Sequence, residues 1–187
     1  MKNAQAFSNT KLKVYYVNAR SLRNKFTDLE EIAYSDNYDI IGITETWLNT
    51  DVRDYLAEYK IPGYTMFEKS RVTKNGGGII FYIKTKLNPV VLSKPLIANV
   101  DALFIILKNK YGAKLALSLV YRPPAQSVQT DNDLYEQISE ISDAYDAVVM
   151  GDFNLPMKKW GEPLTSHHGH DLYSNFKDSS LTQFVNS

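Results

Sequence analysis

The ten residues AVVMGDFNLP, 147 to 156, constrain the fold of this chain more than any other stretch. Ala147 to Met150 form an apolar run of the kind that becomes a buried strand. The run breaks at Gly151, delivers Asp152, Phe153 and Asn154, and stops at Pro156. A strand bound for a core thus ends in a carboxylate and a carboxamide. A fold that buries the run must bring those two groups to the rim of a sheet.

The same pattern recurs along the chain. KVYYVNA (13–19) reads as a strand ending at Asn18, and DIIGITET (39–46) as one that stays apolar until Thr44, Glu45 and Thr46. AKLALSLVY (113–121) ends at Tyr121 and Arg122. Further strands are expected over 64–70, 78–84 and 101–109, with the turn-rich TKNGGG at 73–78. Lys110, Tyr111 and Gly112 signal a hairpin. Phe26, Leu29 and Ile32 share a helical face within 24–35, with Asn24 as N-cap. Leu134, Ile138 and Ile141 form a stripe within 130–145, with Thr130 as cap. Shorter helices are expected over 51–59, stopped by Pro62 and Gly63, and over 171–179, before an apolar end at 181–185. Residues 1–10 are polar and expected to be flexible. Many strands, some in hairpins, with helices between them argue for an α/β or α+β protein built on stacked sheets.

Composition narrows the function classes. With 44% hydrophobic and 22% charged residues, the 187-residue chain can bury a core. Its formal net charge is +0, so any nucleic-acid contact must come from a local patch. It has no cysteine, which removes disulfides and thiolate zinc sites. No run approaches the roughly 18 apolar residues of a membrane span. The expectation is a soluble intracellular protein with no membrane partner.

Strand ends that meet on one rim would gather a particular chemistry. Hard divalent cations take oxygen ligands, commonly one or two carboxylates plus substrate phosphate. Glu45 and Asp152 supply the carboxylates. Asn18 and Asn154 each offer a donor and an acceptor, and Tyr121 offers a hydroxyl. Such donors suit a phosphodiester whose oxygens gain charge in the transition state. The plainer readings are a turn in which Asp152 and Asn154 bond their own backbone, and a Tyr121 that covers the core.

VNARSL, DIIGITETWL, GGGIIFYI, VYRPP and VVMGDFNLP, in this order from about Lys11 onward, resemble the endonuclease domain of non-LTR (LINE-type) retrotransposons. That domain belongs with DNase I and the apurinic/apyrimidinic endonucleases. The resemblance implies a four-layer α/β sandwich with two central, mostly antiparallel sheets. It implies Mg2+, or Mn2+ in its place, held by Glu45, Asp152 and Asn18, with no organic cofactor. Asp152 would position or activate the water, Asn154 would hold the phosphate, Asn18 would support metal and phosphate, and Tyr121 would touch the scissile phosphate. The implied reaction is nicking of double-stranded target DNA to leave a 3′-hydroxyl that primes reverse transcription. The implied partner is a reverse transcriptase domain of the parent element, and the place of action is the nucleus. Arg20, Arg122, Lys158 and Trp160 are the candidate DNA contacts.

One part of the family pattern is missing. No Ser-Asp-His follows Asn154, and the three histidines, His167, His168 and His170, stand in a loop-like TSHHGHD. The expectation is therefore a domain, residues 11–187, that lacks the closing C-terminal strands and has weak or no activity. The competing expectations are a catalytically dead module that binds nucleic acid or a partner, and a phosphoesterase of the same superfamily with another substrate.

Overall fold

The computed structural model describes residues 11–48, 56–70 and 76–154. Among these residues, eight strands and two α-helices run in the order β1 (Val14–Asn18), α1 (Phe26–Ser35), β2 (Ile40–Thr44), β3 (Tyr64–Lys69), β4 (Ile79–Lys84), β5 (Val90–Val91), β6 (Asp101–Lys108), β7 (Lys114–Tyr121), α2 (Val128–Ala144) and β8 (Asp146–Asp152). They form two four-stranded sheets, β1-β2-β4-β3 and β5-β6-β7-β8. Each sheet has one parallel pair, β1/β2 and β7/β8, and is otherwise antiparallel. The chain is thus an α/β protein with two mixed sheets, as expected.

Three apolar layers hold four structural layers together. Successive strand residues face opposite ways, so each sheet has two apolar faces to cover. Ile41, Ile43, Ile80 and Tyr82 face outward and bury Leu29 and Ala33 of α1. Ile40, Ile79, Phe81 and Ile83 face inward and meet Ile105, Leu107, Leu117 and Leu119 of the second sheet. Phe104, Ala116 and Val120 cover the far side, where they take the stripe Leu134, Ile138 and Ile141 of α2. Gly42 faces the second sheet closely: a Cβ there would lie 3.0 Å from Met150 Sδ and 3.1 Å from Leu119 Cδ1.

The departures from expectation lie at element ends and in β8, where the apolar run Ala147–Met150 is not buried as expected: β8 ends its sheet among the described residues, and Val148 is 39% exposed. Helix α1 is capped at Lys25, without a side-chain bond, rather than at Asn24. Helix α2 begins two residues before Thr130; Ser127 is its cap, and its Oγ accepts from Thr130 N–H at 3.1 Å. Of the segment 51–59, the described residues 56–59 make a single 3-10 turn. Strand β5 has only two residues and no sequence pattern to announce it. The expected elements at 171–179 and 181–185, and the segment 1–10, lie outside the described residues. Among the described residues, no helix is long and apolar enough to cross a membrane.

Candidate active site

Parallel pairing explains why so many polar strand ends share one rim. In a parallel pair both strands finish at the same edge. The registers Asn18↔Thr44 and Tyr121↔Asp152 therefore put the ends of β1, β2, β7 and β8 together once the sheets stack. The antiparallel neighbours begin there, since Thr44 pairs with Ile79 and Tyr121 with Asp101. Alternation does the rest. Tyr15 and Val17 pack on the α1 side, which turns Tyr16 and Asn18 toward the space between the sheets.

Asn18 is the hinge of the site. Its Nδ2 donates to Glu45 Oε1 at 2.9 Å and to Asp152 Oδ2 at 2.8 Å. Its Oδ1 accepts from Arg20 N–H at 3.2 Å, which fixes the amide's orientation because the carboxylates can only accept. Asn18 therefore holds the two carboxylates with its nitrogen and turns its oxygen elsewhere. Among the described residues, neither Glu45 nor Asp152 has a Lys or Arg partner at ion-pair distance, and no third carboxylate or histidine joins them. Two carboxylates without a cationic partner among the described residues, sharing one donor, are an oxygen-rich set that fits a hard divalent cation with water and phosphate in its other positions.

Glu45 is held in a left-handed conformation, φ 53°, by bonds on both sides. Ser21 N–H donates to Glu45 O at 2.9 Å, and Leu22 N–H to Thr46 O at 3.0 Å. On the other side Thr46 N–H donates to Gly78 O at 3.2 Å, and Trp47 N–H to Gly77 O at 3.0 Å. Gly78, at φ 80°, must be glycine because a Cβ would fall 2.5 Å from Thr46 Oγ1. Its N–H donates to the buried Asp101 Oδ2 at 3.0 Å, which ties the first sheet to the second at this rim. A costly backbone shape fixed from several directions is typical of functional sites.

Asp152 and Asn154 make both the turn and the site. Asp152 Oδ1 accepts from Asn154 N–H at 3.2 Å while its Oδ2 takes the Asn18 amide. Asn154 has φ 43°, and its Nδ2 donates to Arg122 O at 3.0 Å. Tyr121 reaches the rim by register, with its ring buried between the sheets. Arg122 is only 2% exposed, its guanidinium committed to Asp131 and to backbone carbonyls. It is not a surface cation, which corrects its assignment as a DNA contact. Arg20 is exposed beside the site. Lys158, Trp160, His167, His168 and His170 lie outside the described residues.

Sequence reading missed Tyr16. The residue is 36% exposed, but its hydroxyl lies 3.0 Å from Thr44 Oγ1. Burial pushes the phenol up to about 12; the Thr44 bond opposes this, and the Asp152 and Glu45 charges add to it. The clue was available, because Tyr16 stands two residues before Asn18 and so shares its face. Asp131 was missed for a different reason, since nothing local links it to Arg122.

A profile of the Endonuclease/Exonuclease/phosphatase family matches residues 14–183. No curated protein matches the sequence. Among solved structures, the chain is similar to the AP endonuclease LMAP from Leishmania major at 14% identity and a TM-score of 0.69, over 89% of this chain and 66% of that one. It is similar to the endonuclease domain of TRAS1, a telomere-specific non-LTR retrotransposon, at 15% and 0.62, over 89% and 70%. It is similar to the 3′ phosphatase NExo from Neisseria, bound to a product DNA hairpin, at 17% and 0.60, over 90% and 71%. At these identities the likeness is one of fold, and this chain spans about two thirds of the length of the first of them.

Proposed function

The chain belongs to the endonuclease/exonuclease/phosphatase family, and on that premise we propose that it is the divalent-cation-dependent DNA endonuclease domain of a non-LTR retrotransposon. The observation that carries this reading is the single Asn18 amide 2.9 and 2.8 Å from oxygens of Glu45 and Asp152. The motif series and the likeness in fold to the TRAS1 domain support the retrotransposon branch. A reverse transcriptase domain of the same element is the proposed partner, and genomic DNA in the nucleus the proposed target.

Glu45 and Asp152 would hold Mg2+ or Mn2+, with Asn18 keeping their oxygens in place. A cation bound there supplies Lewis-acid stabilisation of charge on the phosphate. The chain's own residues do the rest. Asp152 has spent one lone pair per oxygen on Asn18 and on the Asn154 amide, so each oxygen retains capacity to orient a water and accept its proton. Asn154, whose Nδ2 keeps one hydrogen after the bond to Arg122 O, supplies an amide donor for the phosphate. Tyr16, neutral because its phenol titrates at about 12, offers a hydroxyl rather than a charge. Arg20, exposed two residues beyond Asn18, is the proposed contact to a neighbouring DNA phosphate.

A second reading, a phosphatase-type phosphoesterase, is favoured by the likeness in fold to a 3′ phosphatase. One assay separates the readings. The chain is incubated with supercoiled plasmid, a duplex with an abasic site, a duplex with a 3′-phosphate and a sugar phosphate, each in Mg2+ and in EDTA. The expected result is Mg2+-dependent nicking of intact plasmid that Glu45→Gln abolishes. Release of inorganic phosphate without nicking would establish the second reading. DNA binding without turnover of any substrate would leave a binding module and overturn both.

A further inference from the structure

We propose that Arg122 and Asp131 form a buried positioning pair that clamps the Asp152–Asn154 turn to helix α2 and thereby sets the geometry of the site. The inference deepens the hydrolase reading and, as far as activity is concerned, rests on it. Three successive carbonyls of the turn accept from this one arginine. Its backbone N–H donates to Asp152 O at 2.8 Å, and its Nη1 donates to Phe153 O and to Asn154 O, each at 3.1 Å. Nη1 also reaches Pro123 O at 3.4 Å. The turn grips back, because Asn154 Nδ2 donates to Arg122 O at 3.0 Å.

The other edge of the guanidinium is held just as firmly. Nε donates to Asp131 Oδ1 at 2.6 Å and Nη2 to Asp131 Oδ2 at 2.9 Å, a bidentate fork that lysine cannot reproduce. Asp131 is 2% exposed and stands in the first turn of α2, which Ser127 caps. The helix's positive end favours its charge. Asp131 is thus fixed by the helix, Arg122 by Asp131, and the turn by Arg122.

Stability alone does not account for such a pair. Buried ion pairs are often replaceable by well-packed apolar residues with little loss. An apolar pair cannot satisfy Phe153 O and Asn154 O, nor hold Asn154 in its left-handed conformation. Asn154 N–H is the amide that donates to Asp152 Oδ1, so its hydrogen exchange reports whether the carboxylate is held. Leu119, buried in mid-β7, reports the core.

The test compares the wild-type chain with Arg122→Lys and with the double variant Arg122→Met/Asp131→Leu. Amide exchange at Asn154 and Leu119 is measured together with kcat and KM for plasmid nicking. The expected result in both variants is exchange at Asn154 faster by about tenfold or more with Leu119 little changed. It is accompanied by a kcat lower by roughly 10–100-fold with KM nearly constant, the scale for residues that orient a site from behind. Equal acceleration at both amides would reduce the pair to a structural role and overturn the proposal; so would no change at Asn154. If the wild-type chain hydrolyses nothing, the hydrolase reading falls, and the exchange pattern alone still decides whether the clamp exists.

Discussion

At Asn18 one amide nitrogen donates to two carboxylates that would otherwise repel each other across the rim. Removing it should loosen both. We expect Asn18→Ala to lower Mg2+-dependent nicking by about 10–100-fold, and Asp152→Asn, which removes the proposed proton acceptor, by roughly 10²–10⁴-fold. Steady-state rates of the two variants check the order. Tyr16 makes a prediction that needs no substrate. Its folded pKa, about 12, lies above the ordinary 10.0, so the folded chain holds this proton more tightly than the unfolded one. The resulting stability is fully present below pH 10 and is lost as pH rises through about 12. Buried Tyr82 is raised in the same direction, so Tyr16→Phe should remove only part of the alkaline loss. Thermal melts of wild type and Tyr16→Phe across that window measure the difference, and identical alkaline profiles would contradict the assignment.

At the scale of elements, two glycines separate what the sheets need from what the site needs. A Cβ on Gly151 would lie 1.9 Å from Val120 O, inside the β7/β8 pair that delivers Asp152. No side chain can swing away from a backbone oxygen. Gly42 meets the flexible end of Met150 and a Leu119 methyl, which can yield by tenths of an ångström. Gly151→Ala should therefore cost more than about 3 kcal/mol and Gly42→Ala about 1–3 kcal/mol in denaturant melts. The elements also show what sequence reading can reach. The strands were legible because apolar runs of strand length, broken by Gly, Asn and Pro, announce themselves locally. The polar ends were legible for the same reason: nothing in a strand requires Asn18, Glu45 or Asp152. The direction of pairing was not, because β1/β2 and β7/β8 become parallel only through the intervening helices. Arg122 was misread because an arginine after an apolar strand looks like a surface charge until Asp131, nine residues on, is seen to fold back on it. The caps were placed within a few residues, Lys25 for Asn24 and Ser127 for Thr130.

Over the whole molecule, two stacked sheets bring one end of each to a common rim, and the helices outside them hold it there. Helix α1 backs the strands that carry Asn18 and Glu45, and α2 backs the strand that carries Asp152. Glu45 and Asp152 are far apart in sequence and come from different sheets. The site therefore exists only when the sheets are correctly stacked, and partial unfolding of either should abolish cation binding before secondary structure is lost. This shared rim is the proposed divalent-cation site. The most direct test is an Mg2+ titration of the intact chain followed by amide NMR, without DNA. Saturable shifts are expected at Glu45, Asp152 and Asn154, and they should vanish together in Glu45→Gln. Unmoved signals at these residues, or equal shifts in wild type and Glu45→Gln, would contradict it.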